Sequence, residues 1–162
     1  MHFSMSSEYA VHGLLYLAIN SDKEVTMLTE VSEALNVPES TFRKVFQTLA
    51  KTGIVNAYRG AKGGYSLARS PENITFRDII EAIEGTSPMY PCLVERRRCE
   101  LGANCAINSA FDHVQTQVYK ALDDITLQGM VDSILSERKQ VKWLRLLPQR
   151  AGIARRSVKH EA

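Results

Sequence analysis

Cysteine is scarce in this chain, and outside residues 92–105 it is missing altogether: the three thiols are Cys92, Cys99 and Cys105. An odd number of thiols leaves at best one disulfide and a leftover cysteine, so the disulfide framework of small secreted domains is excluded. No apolar run approaches the length of a membrane-spanning helix. The start, Met1-His2-Phe3-Ser4-Met5-Ser6, lacks the basic flank and apolar core of a signal peptide. A cytoplasmic location is therefore expected, in a compartment that keeps thiols reduced. The chain has no Walker motif, no HExxH and no Ser/His/Asp order. The glycine-rich stretch Gly60-Ala61-Lys62-Gly63-Gly64 lies between two strand-like segments rather than ahead of a helix, so it is not a nucleotide-binding loop. No enzymatic chemistry is expected.

What is present begins with those cysteines. They cluster in a polar stretch, Pro91-Cys92-x6-Cys99-x5-Cys105-Ala106, whereas core cysteines scatter. Thiolate is the preferred ligand of soft metals and of iron–sulfur clusters. Three ligands are one short of a closed four-ligand cage, which leaves the fourth to be found. Redox-active thiols and inert buried thiols are the competing readings.

A hydrophobic content of 44% is ordinary for a globular core, and 162 residues allow one domain or a small domain with an appended element. The net charge of +2 hides an asymmetry. Residues 1–137 carry twelve Lys/Arg against seventeen Asp/Glu, a net of −5, and residues 138–162 carry eight against one, a net of +7. Within the acidic part, Arg43, Lys44, Lys51, Arg59, Lys62 and Arg69 face only Glu39 between positions 38 and 69, a local +5. Such a compact basic patch is what phosphate binding needs.

The pattern of apolar residues predicts a first helix over 8–19, with Val11, Leu14, Leu15 and Ala18 at helical spacing behind Ser6 and Ser7 as caps. Thr26 introduces a second short helix with Leu28, Val31 and Leu35 on one face, broken at Asn36-Val37-Pro38. Pro38 suits the first position of a third helix, which runs to about Lys51 with Phe42, Val45, Phe46 and Leu49 inward. Gly53 is a plausible stop. Two strand-like segments, 54–58 and 65–68, flank Arg59-Gly60-Ala61-Lys62-Gly63-Gly64 and predict a hairpin with a basic, glycine-rich tip. Thr75-Phe76-Arg77-Asp78 resembles a capping box and opens a fourth helix that Gly85 ends. Beyond the cysteines, Phe111, Val114, Val118, Leu122 and Ile125 step by three and four along a long amphipathic helix, and Thr126 starts a further turn or two. No internal repeat is seen.

Three helices followed by a two-stranded wing is the winged helix-turn-helix order, and the fold class is mainly α with a small β-hairpin wing. The polar face of the third helix carries Glu39, Ser40, Thr41, Arg43, Lys44 and Gln47. Short polar groups near its start and long basic ones beyond suit a major groove, where Arg and Lys donate to guanine edges or phosphates. Arg59 and Lys62 at the wing tip are candidates for a minor groove or a phosphate.

Taken together, these motifs resemble the family of bacterial winged-helix regulators that includes IscR, NsrR, RirA and CymR, in its iron–sulfur cluster-binding branch. The resemblance spans residues 1 to about 135. It rests on Tyr9-Ala10-Val11 with Leu14-Leu15, on Val37-Pro38-Glu39-Ser40-Thr41-Phe42, and on Gly53-Ile54-Val55. It continues through Arg59-Gly60-x-Lys62-Gly63-Gly64-Tyr65-x-Leu67, Ile79-Ile80-x-Ala82-Ile83-Glu84-Gly85, the three cysteines, and Leu122-x-x-Ile125-Thr126-Leu127. The resemblance implies a homodimeric transcription regulator, acting as a repressor, on a near-palindromic site in double-stranded promoter DNA, with no membrane partner. Its three cysteines would hold a two-iron or four-iron cluster sensing iron, redox or nitric oxide status. It implies four parts: a winged helix-turn-helix domain over 1–85, a cluster-binding loop over 86–107, a dimerisation helix region over 108–137, and a basic, flexible tail over 138–162.

The fourth ligand departs from one branch and fits another. IscR-like members complete the site with a histidine shortly after the third cysteine; Asn108 stands at that place here, and His113 is the nearest histidine. NsrR-like members use an acidic residue near the N-terminus of the other subunit, and Glu8 stands at that place. The expected metal ligands are therefore Cys92, Cys99, Cys105 and Glu8. Two alternatives differ in class: a cluster-free regulator using its cysteines for zinc or redox chemistry, and an electron-carrier or enzyme subunit. The basic helix and wing count against the last.

Overall fold

The computed structural model describes residues 3–60, 63–86, 90 and 105–136. The fold is mainly α with one two-stranded antiparallel hairpin. Helix α1 (Met5–Ile19) runs through its centre and packs against four other helices, so Ala10, Gly13, Leu14, Leu15, Tyr16, Leu17 and Ala18 are all buried. It starts earlier than the serine pair suggests. Ser4 is the cap, its hydroxyl accepting the Ser7 N–H at 3.4 Å, and Ser6 and Ser7 belong to the first turn.

Helix α2 (Leu28–Leu35) stops at Asn36, which adopts the left-handed conformation (φ 52°) that its short polar side chain tolerates. Thr26 does not cap this helix; it is buried and exchanges two 2.9 Å backbone bonds with Tyr65. Pro38 sits one residue ahead of helix α3 (Glu39–Lys51), and its carbonyl accepts the Thr41 and Phe42 N–H groups. The greasy face of α3 is Phe42, Val45, Phe46 and Leu49, all buried as the spacing predicts.

Strands β1 (Val55–Tyr58) and β2 (Gly64–Leu67) form the wing, with Val55 opposite Leu67 and Tyr58 opposite Gly64. The turn between them uses Gly60 at φ 112°, a conformation costly for other residues. A Cβ on Gly64 would lie 2.3 Å from the Thr26 carbonyl oxygen, so only glycine lets the wing lie against the segment before α2. The Tyr65 ring then packs 4.9 Å, centroid to centroid, from Phe46 of α3. The wing is thereby anchored to the core beneath the third helix.

A short 3-10 turn (Pro71–Asn73) leads to helix α4 (Phe76–Glu84). The Thr75–Asp78 capping box forms, and Gly85 ends the helix at φ 87°. Helix α5 (Ala106–Asp123) and helix α6 (Leu127–Ser136) complete the described chain. Backbone bonds Phe76 N to Ile125 O (2.7 Å) and Leu127 N to Ile74 O (2.8 Å) stitch the α5–α6 junction to the start of α4. Leu127 and Val131 of α6 return to the core beside α1.

The apolar stripe of α5 has two fates. Leu122 is buried within the chain, whereas Ile107, Phe111 and Val114 are 57%, 38% and 47% exposed. Arg77 holds the buried end: its Nε donates to Glu81 (2.7 Å), another nitrogen donates to Asp123 (3.0 Å), and the guanidinium lies 4.1 Å over the Tyr119 ring. Hydrogen bonds to Glu81 and Asp123 push the Arg77 pKa further up, so the guanidinium side of this tie stays charged. Among the described residues, no helix is long and apolar enough to cross a membrane.

Helices α1 and α3 approach each other closely in the core. A Cβ on Gly13 would lie 2.6 Å and 2.9 Å from two atoms of the Phe46 ring, which is fully buried. Gly13→Ala gains up to about 1 kcal/mol of helix propensity. Overpacking of a tight core costs about 1–3 kcal/mol, so the net effect is destabilising. Urea unfolding should show a lower midpoint at unchanged slope, and an unchanged or raised midpoint would mean that the ring turns aside freely.

Candidate nucleic-acid interface and thiol site

The face of α3 turned away from Phe42 and Phe46 carries the polar residues expected there. Ser40, Arg43 and Lys44 are exposed, and Glu39 and Thr41 are half-buried. Arg43 pairs with Glu39 one turn earlier, with 61% of its side chain in solvent. That exposed i,i+4 pair contributes little to stability, but it fixes where the guanidinium points. Arg69 of the basic patch is paired at 2.9 Å with Asp78 of α4. Among the described residues no acid pairs with Lys44, Lys51 or Arg59. Three cations therefore remain available to phosphates, two of them, Lys44 and Lys51, on α3 and the third, Arg59, at the end of β1.

A cleft of about 350 Å³ runs along α3, lined by Ser40, Thr41, Lys44 and Thr48 on one side and by Ser4, Ser6 and Ile83 on the other. The far wall comes from the start of α1 and the end of α4. Ser4 and Thr48 carry no signal in the sequence for this cleft, because no helical periodicity brings α1 beside α3. Lys62 lies outside the described residues.

Of the thiols, Cys105 is described, and Cys92 and Cys99 lie outside the described residues. Cys105 is free and buried and stands immediately before α5. Its carbonyl accepts the Ser109 N–H at 3.0 Å, which closes the first turn. One turn along, the side-chain oxygen of Asn108 is buried without a hydrogen-bond partner. A free buried thiol followed three residues later by an unsatisfied buried acceptor suits a site that receives a cation or a further donor. Nothing in the identity of Asn108 shows that its side-chain oxygen is buried. His113 is exposed, two turns into α5.

Glu8 is exposed in the first turn of α1. It lines a groove of about 290 Å³ with Phe3, Ser4, Ser7, Val11, His12, Phe76 and Ile80. The groove is largely apolar, and Phe3 closes one end edge-on to Phe76 at 6.4 Å. His12 shares this groove one turn beyond Glu8. The four-residue spacing on one helix face is the sequence signal that makes His12 the neighbour of Glu8. Among the described residues no three His, Cys, Asp or Glu side chains come together to hold a metal.

A helix-turn-helix with an unobstructed polar-basic face and a wing anchored beside it defines a winged-helix DNA-binding protein. The family model described as Rrf2, iron-dependent transcriptional regulator, matches residues 3–133, and the chain belongs to that family. A helix-turn-helix transcriptional regulator sequence of Aquifex aeolicus is 30% identical over 82% of this chain and 92% of its own length. The structure of CymR, the global cysteine regulator of B. subtilis, is similar at a TM-score of 0.68 and 25% identity, covering 82% of this chain and 98% of that one. The IscR structure of T. potens is similar at 0.65 and 27%, covering 87% and 92%. The chain is thus a DNA-binding transcription regulator and not an enzyme.

The wing's attachment makes a direct prediction. Tyr65→Ala removes the ring packed at a tilt against Phe46 and loosens the hairpin from α3. Hydrogen exchange should speed up at the Thr26 and Tyr65 amides while Leu14 and Leu49 stay protected. Equal protection in the variant would mean that the backbone bridge alone holds the wing.

Proposed function

We propose that this regulator carries an iron–sulfur cluster and binds promoter DNA as a homodimer, with cluster state setting affinity and repression. The observation that carries the reading is the buried free thiol of Cys105 at the start of α5, beside the unpartnered Asn108 oxygen, in a chain whose other two cysteines fall shortly before it. The likeness to T. potens IscR and the family's description as iron-dependent support it. Cys92, Cys99 and Cys105 would hold the cluster, with Glu8 from a second copy as fourth ligand. Such a cluster supplies an oxidisable, nitric-oxide-reactive centre. A carboxylate is a harder and weaker ligand for its iron than a thiolate, which leaves one corner exchangeable. The sequence division into a DNA-binding domain (1–85), a thiol loop, a dimerisation region and a basic tail fits this scheme; the tail lies outside the described residues. The protein is proposed to work in the cytoplasm.

Each Cys→Ala change should abolish visible absorbance in anaerobically purified protein. Glu8→Ala should keep some colour, with an altered spectrum and faster loss in air. A spectrum and decay rate unchanged in Glu8→Ala would leave Glu8 as an ordinary helix-start carboxylate. A second reading, a cluster-free regulator with a zinc or redox-thiol site, draws on the likeness to CymR, whose name ties it to cysteine. Colourless wild-type protein would favour it.

The DNA surface is proposed to be Glu39, Ser40, Thr41, Arg43 and Lys44 of α3 with Arg59 and Lys62 of the wing. Arg43→Ala and Lys44→Ala should each cost about 1–3 kcal/mol if they meet base edges, and should change sequence preference. Arg59→Ala should weaken all sites alike. Fluorescence anisotropy on selected duplexes checks this, and full binding by the Arg43/Lys44/Arg59 triple variant would exclude the surface.

The exposed half of the α5 stripe is proposed as the dimer contact. Ile107, Phe111 and Val114 form an apolar strip that a second copy would bury. Two copies would place two α3 helices about one DNA turn apart. Val114→Glu should sediment as a folded monomer. Leu122 is a poor choice for this test, since its burial within the chain makes Leu122→Glu a folding defect. A wild type that is monomeric at micromolar concentration would refute the dimer.

A further inference from the structure

The start of α1 is held by a side chain from the far end of α4. One oxygen of Glu84 accepts the Ser4 N–H at 2.9 Å, the Ser4 hydroxyl at 2.6 Å and the Ser7 hydroxyl as well. Ser7 is almost fully buried, 1% exposed, so its hydroxyl needs this acceptor. A carboxylate at a helix N-terminus also meets the positive end of the helix dipole and makes charge-assisted bonds to its donors. These bonds explain why the helix begins at Met5 with Ser4 as cap, rather than behind Ser6 and Ser7.

The position of this contact links two sites. On one side, Ser4 and Ser6 form the wall of the cleft that faces Ser40, Thr41 and Lys44 of α3, and Ile83, next to Glu84, completes that wall. Ser4 and Ser7 also line the groove that holds Glu8. On the other side, Glu84 is the last residue of α4, and Gly85 at φ 87° directs the chain out of the helix toward the cysteine-bearing stretch. That stretch ends at Cys105, where α5 begins. At its other end α4 is tied to α5 through Arg77. A shift at either end of the thiol stretch therefore acts on α4, and Glu84 is the charged contact between α4 and the α1 wall beside the DNA-reading helix.

We propose that Glu84 is a positioning residue for DNA recognition: its three-donor contact with Ser4 and Ser7 couples the state of the cysteine stretch to the cleft wall beside α3. The coupling rests on the cluster reading above, whereas the contact itself rests on the geometry alone. Glu84 does not touch DNA in this scheme. It sets where Ser4, Ser6 and the start of α1 stand relative to Ser40, Thr41 and Lys44. Because Glu84 is exposed, its removal opens no core cavity, and the variant should fold.

The test measures affinity for one duplex, selected from random sequence by the wild type, using full-length protein both cluster-loaded and cluster-stripped. The readout is the ratio of the two affinities. Couplings of this kind typically span 5- to 150-fold, so the wild-type ratio is expected on the order of tenfold or more. In Glu84→Ala the ratio should fall to within about twofold of one, the value of an uncoupled pair of sites. Ser4→Ala/Ser7→Ala should do the same from the opposite side, and combining all three changes should add nothing further. Glu84→Gln keeps an oxygen acceptor in place and should restore most of the ratio. A merely structural Glu84 would lower both affinities together and leave the ratio unchanged, which would overturn the proposal. A wild-type ratio in Ser4→Ala/Ser7→Ala would overturn it equally, even if Glu84→Ala failed to fold. A ratio of one in the wild type itself would sink the cluster reading and the coupling with it, and no variant is needed to see that result.

Discussion

The contact on which the structure depends is the approach of α1 to α3 across Gly13. Phe42 and Phe46 of α3 are both fully buried, with ring centroids 6.1 Å apart, and Phe46 lies where any α1 side chain at position 13 would stand. Three consequences follow from that one close approach. The buried face of α3 is fixed, so its opposite face is presented outward in a single orientation. Tyr65 has a rigid ring to pack on, so the wing is fixed relative to α3. The start of α1 is brought alongside Ser40 and Lys44, which makes the cleft. DNA reading needs all three, because phosphate contacts set a register only if helix and wing keep a constant spacing.

Around that rigid unit, α4 works as a strut with a polar tie at each end. Arg77 binds it to α5 through Asp123 and Tyr119, and Glu84 binds it to the start of α1. In sequence, the thiol stretch links the C-terminal end of α4 to the start of α5. A cluster held there would act on both ties at once, through short polar contacts rather than through the packed core. A packed core has discrete arrangements and resists gradual deformation, so polar ties at the helix ends are the economical place for a signal to pass.

Much of the fold was legible because local chemistry and tertiary packing agree. Asn36 and Pro38 break the chain where the turn lies, Thr75 and Asp78 cap α4 as their spacing implies, and Gly60 and Gly64 mark a hairpin that only glycine permits. What escaped depended on partners distant in sequence. Ser4 caps α1 because Glu84, eighty positions away, supplies its acceptor, and no local rule chooses Ser4 over Ser6. The α5 stripe reads as one apolar face, yet Leu122 packs inside the chain and Val114 does not; periodicity cannot tell an internal contact from an external one. The proposed DNA face follows from a pattern of residues, but the division of its cations does not: Arg69 is engaged by Asp78, while among the described residues no acid pairs with Lys44 or Arg59. His12 shares the Glu8 groove through a helical spacing visible in the sequence, but its relevance appears only once the groove is seen.

What the thiols hold decides how this regulator senses. Iron and acid-labile sulfide should be counted per chain in protein purified without oxygen, together with zinc. The account predicts iron and sulfide in equal amounts, about two or four of each per chain, with negligible zinc. Zinc at about one per chain without sulfide, or thiols free of any metal, would contradict it and leave a winged-helix regulator that senses by other means.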